Sequence, residues 1–459
     1  MKPRRDQSTG GKRVATQREK AGAAPPQVVR IEKPVYGGAF LARVEGEAVF
    51  VPLTLPGEQA RVRITENKRS YATAEADEIV VAAAERIAPA CMHFGACGGC
   101  HYQHAGYSTQ LAFKQAILRE TLERGGVRAP DEIFVLAVVI EAQSWGYRNR
   151  IRLAFDAAGN PGYRGRRSHA VIPIAECPIA APLLVKAAGR AAEVVRQFSP
   201  PLRPTEISLF CDAEETSLLG SVFTADMAKG ADGKFAEFAR ALAERIPALK
   251  GVEFIAEGNV GDRARVQFQR AAALWGEMSI SYRAAGFDFR VDHGAFFQVN
   301  RWLVDGLVEQ VTAGYKDELA WDLFAGVGLF ARKLAGNFAR VVAVESAPQA
   351  TAALKENLRG TAGSAVRAST LDFLRGGGKG EKPDLIVVDP PRTGLGGEIT
   401  SLLAEIAAPR LVYVSCDPAT LARDLRALIA TGYAMEKITL ADLFPQTFHL
   451  ETVVHLRRS

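Results

Sequence analysis

The chain has 459 residues, 48% of them hydrophobic, which is length for two to four domains and apolar content for large cores. No apolar run reaches the roughly 18 residues of a membrane helix, and the N-terminus has no apolar signal segment; a membrane-spanning or secreted protein is therefore not expected, and a bacterial-type cytosol is the default. The formal charge is +6, and residues 1–30 carry all of it, with eight Lys or Arg against Asp6 and Glu19. Residues 1–26 have no apolar period and read as a disordered basic tail, either an RNA-binding arm or a solubility tail.

Residues 27–88 are expected to form a small β-barrel. In Gln59–Thr65 the apolar Ala60, Val62 and Ile64 alternate with Arg61, Arg63 and Thr65, so one face packs and the other is wet and basic. Gly37-Gly38, Pro52 and Pro56-Gly57 punctuate the strands. A small barrel with such a face suits oligonucleotide binding.

Residues 89–290 read as a mixed α+β central domain. Cys91, Cys97 and Cys100 crowd into ten residues, with Cys177 further on. In a cytosolic protein this argues for metal over disulfides, and four thiolates suit zinc or an iron–sulfur cluster; spacing alone does not choose. A helix with Leu111, Leu118 and Leu122 on one face follows. Arg148, Arg150 and Arg152 share one side of a strand, and Arg164, Arg166, Arg167 and His169 lie just beyond, with only Asp156 as an acid: a phosphate-and-base surface in outline, or a solvated charged strand. Residues 190–285 carry no clear motif.

Residues 291–459 alternate strand and helix, the pattern of a doubly wound α/β domain. Leu319–Phe330 is a strand running into Gly326-x-Gly328 and a helix, where the glycines let a ligand approach the backbone closely. Glu345 ends the next strand, placed to bind ribose hydroxyls; the absent third glycine favours a nucleoside without pyrophosphate, such as S-adenosylmethionine. Asp384–Val388 is an apolar strand ending in Asp389-Pro-Pro-Arg392, a rigid turn aimed at the cleft. Val291–Asn300 offers Phe296 for stacking and Gln298 and Asn300 for polar contacts, or else a packed strand. Leu411–Val414 reads as a buried strand and Thr420–Ala430 as a helix, so Cys416 falls at a strand's carboxyl end, where open parallel sheets bind ligands. A nearby helix N-terminus would favour its thiolate, although a lone free cysteine is more often a small buried hydrophobe. Glu451 heads a β-branched final strand and is a candidate base; His449 reads as structural.

Residues 27–88 resemble the TRAM domain, an OB-like RNA-binding module. Together with the five stretches around Cys91–Cys100, Phe296, Gly326, Asp389 and Cys416–Glu451, nearly the whole chain from residue 27 is similar to the RNA uracil-5-methyltransferase family, and in domain order to its bacterial 23S rRNA subgroup, most like the uracil-1939 enzymes. The resemblance implies a Rossmann-like, S-adenosylmethionine-dependent domain over 291–459, a nucleophile at Cys416 and a base at Glu451. It places cofactor or substrate contacts at Gln298, Phe324, Gly326, Gly328, Glu345 and Asp389 and a base-contacting aromatic at Phe296; the charge pattern, not the resemblance, puts RNA contacts at Arg148 and Arg150. It also implies a 4Fe–4S cluster on Cys91, Cys97, Cys100 and Cys177, a 23S rRNA partner and a monomer. Two residues depart from the family pattern: Asp417 stands where Asn is usual, adding a charge that opposes thiolate formation, and Ala325 stands where Cys is usual. The competing readings are the same chemistry on another rRNA uridine or on tRNA, an amino-group methyltransferase built on Asp389-Pro-Pro-Arg392, and a non-catalytic RNA-binding protein; the last two leave Cys416 and Glu451 without a role.

Overall fold

The computed structural model describes residues 26–198, 202, 204–224, 231–256, 273–378 and 380–458. The expected tail over 1–26 lies outside these residues, apart from Pro26. Among the described residues no helix is long and apolar enough to cross a membrane.

Strands β1 (Gln27–Pro34), β2 (Ala39–Val44), β3 (Glu47–Pro52), β4 (Gln59–Asn67) and β5 (Ala72–Val81) close into a barrel in the order β1-β2-β3-β5-β4. Ala60 and Val62 point inward and Arg61 and Arg63 outward, as the period of two requires. The outer face is not bare cation, however. Arg61 pairs with Glu78, and Arg63 with Asp77 and Glu75, all on the neighbouring β5. The expected basic stripe is neutralised across the strand pair, because the cross-strand partners of β4 are acids.

After helix α1 (Tyr107–Arg124) and the short β6 (Phe134–Leu136) comes the central sheet. Its strands are β7 (Arg150–Phe155), β8 (Pro161–Arg164), β9 (Val171–Pro173), β10 (Pro204–Cys211), β11 (Leu218–Thr224), β12 (Leu249–Ala256) and β13 (Ala273–Gly276), in the order β13-β12-β11-β10-β7-β8-β9. Helices α2 (Pro182–Phe198) and α3 (Ala231–Arg245) pack on it through Leu184, Ala188, Ala191 and Phe238.

A hairpin of β14 (Ser279–Ala284) and β15 (Phe287–Asp292) leads into the C-terminal domain. This comprises α4 (Val304–Thr312), β16 (Asp317–Leu323), α5 (Leu329–Leu334), β17 (Phe338–Glu345), α6 (Pro348–Asn357), β18 (Gly363–Arg367), α7 (Thr370–Asp372), β19 (Leu385–Val388), α8 (Gly396–Ile406), β20 (Arg410–Ser415), α9 (Pro418–Ala430), β21 (Tyr433–Ala441) and β22 (Glu451–Arg458). The sheet order is β18-β17-β16-β19-β20-β22-β21-β6, parallel except for β22, which runs against both neighbours. Helices cover both faces, so β19 is buried from end to end and β20 from Leu411 on, and both read as near-continuous apolar runs.

The boundary expected between residues 290 and 291 falls inside β15. The β14–β15 hairpin packs through Ile280, Tyr282, Phe289 and Val291 into the same core as Val327, Leu354 and Val412, so it belongs with the C-terminal domain. So do α1, whose Ile117, Leu118 and Leu122 share a core with Leu421 and Leu425 of α9, and β6, which extends the sheet beside β21. β6 is too short to show a period, and its pairing is set by the edge it meets.

Candidate active site and cysteine centre

The sheet order turns back on itself at β16, which has β17 on one side and β19 on the other, and this switch point opens a crevice at the carboxyl ends of the parallel strands. Phe324 follows β16, Glu345 ends β17, Asp389 follows β19 and Cys416 follows β20. Because β22 is antiparallel, its first residue, Glu451, lies at the same edge; Ser415 pairs with Thr452. Topology alone therefore gathers Cys416, Asp389 and Glu451.

The glycine turn is shaped for a ligand. Phe324, Gly326 and Gly328 all have positive φ, at 65°, 56° and 92°. A Cβ on Gly326 would meet open space, whereas one on Gly328 would strike Leu354 Cδ1 at 2.6 Å, so the two glycines serve approach and packing respectively. Glu345 is fixed by the backbone N–H of Gly326 at 2.9 Å and of Ala347 at 2.7 Å. Of the Val291–Asn300 stretch, Phe296 is 62% exposed and Gln298 is buried at 6%. Asn300 is not a free contact: its Nδ2 donates to Leu443 O, and its Oδ1 accepts from the N–H groups of Trp302 and Leu303.

The electrostatics of the crevice differ from the sequence expectation. Asp417 caps α9, accepting from Ala419 N–H at 3.0 Å and Thr420 N–H at 2.9 Å, with Pro418 in the first turn. Yet the Cys416 thiol is not eased toward thiolate: burial, then Glu451 and Asp389, push it up to about 12 against the opposing pull of Arg392 and of a backbone hydrogen bond at Cys416. Burial likewise pushes Asp389 up to about 7. Glu451, 4% exposed, is raised well above the carboxylate range by burial and by Asp389. Sequence reasoning placed the helix terminus but not the two carboxylates that outweigh it. Asp322 at the end of β16 was missed altogether. It is fully buried, accepts from Ala331 N–H at 2.9 Å and is pushed up to about 8 by burial. Its only sequence signal is a lone acid in the apolar run Leu319–Leu323. His449, ringed by Phe444 and Phe448 and accepting from Arg392, is held down to about 3 by burial and stays neutral.

The four cysteines of the central region meet. Cys91, Cys97, Cys100 and Cys177 line one cavity of about 30 Å³ with Arg148, Tyr163 and Glu176. Gly99 N–H lies 3.4 Å from Cys97 Sγ and the Tyr163 hydroxyl 3.9 Å from Cys177 Sγ. Among the described residues no three His, Cys, Asp or Glu side chains are set to hold a single metal ion. The Arg148 Nε is buried without a hydrogen-bond partner, so a cation faces the thiols. Four thiolates carrying a cluster would supply the missing negative charge, so the donor set fits such a group. Burial raises the Cys91, Cys97 and Cys100 thiols above the ordinary cysteine value.

The expected arginine surface divides. Arg148 turns to the cysteines. Arg150 lies over the Phe210 ring at 4.4 Å and donates to Ala295 O at 2.7 Å, so it stitches β7 to the loop before Phe296 rather than facing solvent. Arg152, Arg164, Arg166 and Arg167 line a cleft of about 590 Å³ between the barrel turn Gly37-Gly38, the loop Gly98–His101 and β8. Glu206 pairs with Arg152 and Arg164, and Glu75 with Arg166. The two inward arginines have burying partners, Phe210 and the thiols, that lie far away in sequence.

A Rossmann-like sheet, a glycine turn with an acid on the next strand, and a cysteine–carboxylate crevice define an S-adenosylmethionine-dependent methyltransferase. Comparisons with known proteins narrow this. The sequence profile of tRNA (uracil-5-)-methyltransferases matches residues 381–459, and that of the TRAM domain residues 27–76. The chain is 33% identical to a 23S rRNA (uracil(1939)-C(5))-methyltransferase of Aeromonas salmonicida, over 90% of this chain and 92% of that one. It is 30% identical to an RNA methyltransferase of Thermotoga maritima, over 93% and 98%. The crystal structure of the Pyrococcus abyssi tRNA (uracil-54, C5)-methyltransferase, in complex with S-adenosyl-L-homocysteine, shares the fold, with a TM-score of 0.73 at 23% identity over 93% of this chain and 99% of that one. The chain belongs to the S-adenosylmethionine-dependent RNA uracil-5-methyltransferase family.

Proposed function

We propose that the protein methylates C5 of a uridine in 23S rRNA, with Cys416 as nucleophile and Glu451 as the base that completes the reaction. The observation that carries this is the convergence of Cys416, Asp389 and Glu451 at the switch-point crevice. The Cys416 thiolate adds to C6 of the uracil, the resulting enolate attacks a methyl group through C5, and a base removes the C5 proton so that the thiolate leaves. S-adenosylmethionine supplies that methyl group and a positive sulfonium. Gly326 leaves room for it and Glu345 is fixed where ribose hydroxyls would lie. Phe296, whose ring is exposed, stacks on a base in this reading, and the uridine must leave its helix to reach Cys416. In the free protein burial works against the charged forms of the thiol and of both carboxylates, and a positive charge brought into the crevice would favour them.

The 23S target is supported by the curated relatives, and the cleft of Arg152, Arg164, Arg166 and Arg167 beside the TRAM barrel supplies a phosphate-binding surface. Cys91, Cys97, Cys100 and Cys177 hold a 4Fe–4S cluster in this reading. The test is methyl transfer from labelled S-adenosylmethionine to naked 23S rRNA and to tRNA, followed by mapping of 5-methyluridine. Label in 23S rRNA that is lost in Cys416→Ala is expected; label in tRNA alone contradicts the target.

A further inference from the structure

The loop that leads from β15 to α4 carries two phenylalanines in tandem. Exposure alternates along it: Ala295 is buried, Phe296 is 62% exposed and Phe297 only 2%. Phe297 is a plug. Its ring packs on Tyr282 of β14 at 4.4 Å, on Phe289 of β15 at 6.0 Å and on Phe210 of β10 at 6.5 Å. Burial of a phenyl ring does not decide which of two identical neighbours goes inside, because a slip of one residue exchanges them. The register has to be fixed by other contacts.

Two residues at the head of β7 grip the loop on either side of the pair. Arg150, half-buried, lays its guanidinium over the Phe210 ring at 4.4 Å and donates from Nη2 to Ala295 O at 2.7 Å. Asn149, fully buried, donates from Nδ2 to Gln298 O at 2.8 Å and to the Tyr282 hydroxyl at 3.0 Å. Its backbone N–H donates to Val299 O at 3.0 Å, and its carbonyl accepts from Cys211 N–H at 2.9 Å. Phe210 faces Arg150 in the register of β10 with β7. Both grips are thus rooted in the central sheet, while the loop they hold leads into the methyltransferase domain. The carbonyls they hold lie just before Phe296 and just after Phe297, so a slip of one residue breaks both bonds.

We propose that Asn149 and Arg150 are positioning residues that select which phenylalanine meets the RNA: they lock the loop so that Phe297 fills the core and Phe296 is held out as a fixed stacking face for the extruded uracil. Arg150 then serves RNA binding through a backbone carbonyl and not through a phosphate. The charge of its guanidinium strengthens that one hydrogen bond. The proposal rests on the reading of Phe296 as the ring that stacks on the base, and the test separates the two.

Arg150→Met keeps an unbranched side chain and removes the donors; Asn149→Leu does the same for the amide, and carries the same readouts should Arg150→Met not fold. In full-length protein in which Phe296 alone bears a ring fluorine, the fluorine NMR spectrum without RNA should show one sharp resonance for the parent chain. Either variant should broaden it or split it as the register slips. The kcat/KM for RNA should fall about ten- to a hundred-fold, the size of a lost base stack. The slope of log affinity against log salt should keep its parent value, because no phosphate contact is lost. In a Phe296→Ala background the same changes should cost less than about two-fold more, since residues that act through one ring are not additive. Arg150→Lys, which keeps a charged donor, should return the single resonance and most of the activity. An unchanged fluorine spectrum, a salt slope reduced by about 1 in Arg150→Met, or full additivity with Phe296→Ala would each overturn the proposal. Full activity of Phe296→Ala would instead remove the stacking reading, while the fluorine spectrum would still report whether Asn149 and Arg150 hold the ring.

Discussion

At the scale of single residues, the site is built from acids whose charged forms burial makes costly. A carboxyl whose folded pKa is raised stabilises the fold below its unfolded pKa, and that contribution is lost as pH rises through the folded value. Asp389, raised to about 7, and Asp322, raised to about 8, therefore make the protein less stable between pH 4 and pH 8 than neutral side chains would. Asp389→Asn should be more stable than wild type at pH 8, by up to about 4 kcal/mol for a rise of roughly three pKa units, and equal to it near pH 4, while methyl transfer is lost. Thermal denaturation at both pH values checks this. The same logic governs rate. With the thiol pushed up to about 12, thiolate is scarce at neutrality and increases about ten-fold per pH unit, so kcat/KM should climb steadily from pH 6 to pH 9. A profile already flat below pH 6 would mean that the free enzyme holds a thiolate.

At the scale of elements, what holds the base in place is the loop between β21 and β22. Gln446, at φ 68°, accepts from the backbone N–H of both His101 and Tyr102 through its carbonyl and exchanges two hydrogen bonds with Gln110 of α1. One turn further along α1, Lys114 pairs with Asp442 at 2.5 Å, both side chains fully buried. Removing one partner leaves the other charge buried alone, so Lys114→Met should cost about 3–5 kcal/mol, and much of that should return when Asp442→Leu is added. Denaturant unfolding of the single and double variants measures it. These ties were not legible in the sequence, because a lysine on an apparently amphipathic helix and an aspartate 328 positions later reveal nothing of each other. By contrast, β4, β19, β20 and α9 were legible within a residue or two. Each has an unambiguous period or an unbroken apolar run, and α9 has its Asp-Pro start besides.

At the scale of the whole molecule, barrel, central sheet and methyltransferase domain meet around one loop, Gly98–Tyr102. It lines the arginine cleft, follows the cysteine cavity and anchors the Gln446 turn. That Asp389 and Cys416 close parallel strands at their carboxyl ends was legible in the alternating pattern; that Glu451 joins them was not, because it depends on the strand order and on β22 running antiparallel to β20. The division of the arginines did not follow, because whether an arginine faces water depends on neighbours such as Phe210 and Cys177 that only folding supplies. Arg167, exposed on the cleft, is the cleaner probe of RNA binding. Arg167→Ala should weaken binding to all RNA sequences alike and reduce the slope of log affinity against log salt by about 1, read from titrations at several salt concentrations. The cysteine cavity predicts protein that is brown when purified without oxygen, with iron and sulfide near four each per chain; stoichiometric zinc without iron would contradict the cluster.

The central claim is that Cys416 and Glu451 act at different stages of one covalent reaction, the thiol to form the adduct and the carboxylate to resolve it. The most direct measurement is denaturing gel electrophoresis and mass analysis of Glu451→Gln protein incubated with its RNA and S-adenosylmethionine. The account predicts RNA joined to Cys416 through uracil C6, with the methyl group already on C5, and no such species when Cys416→Ala is added. A Glu451→Gln protein that turns over slowly without trapping RNA would show that another group removes the proton, and would contradict the assignment of the base.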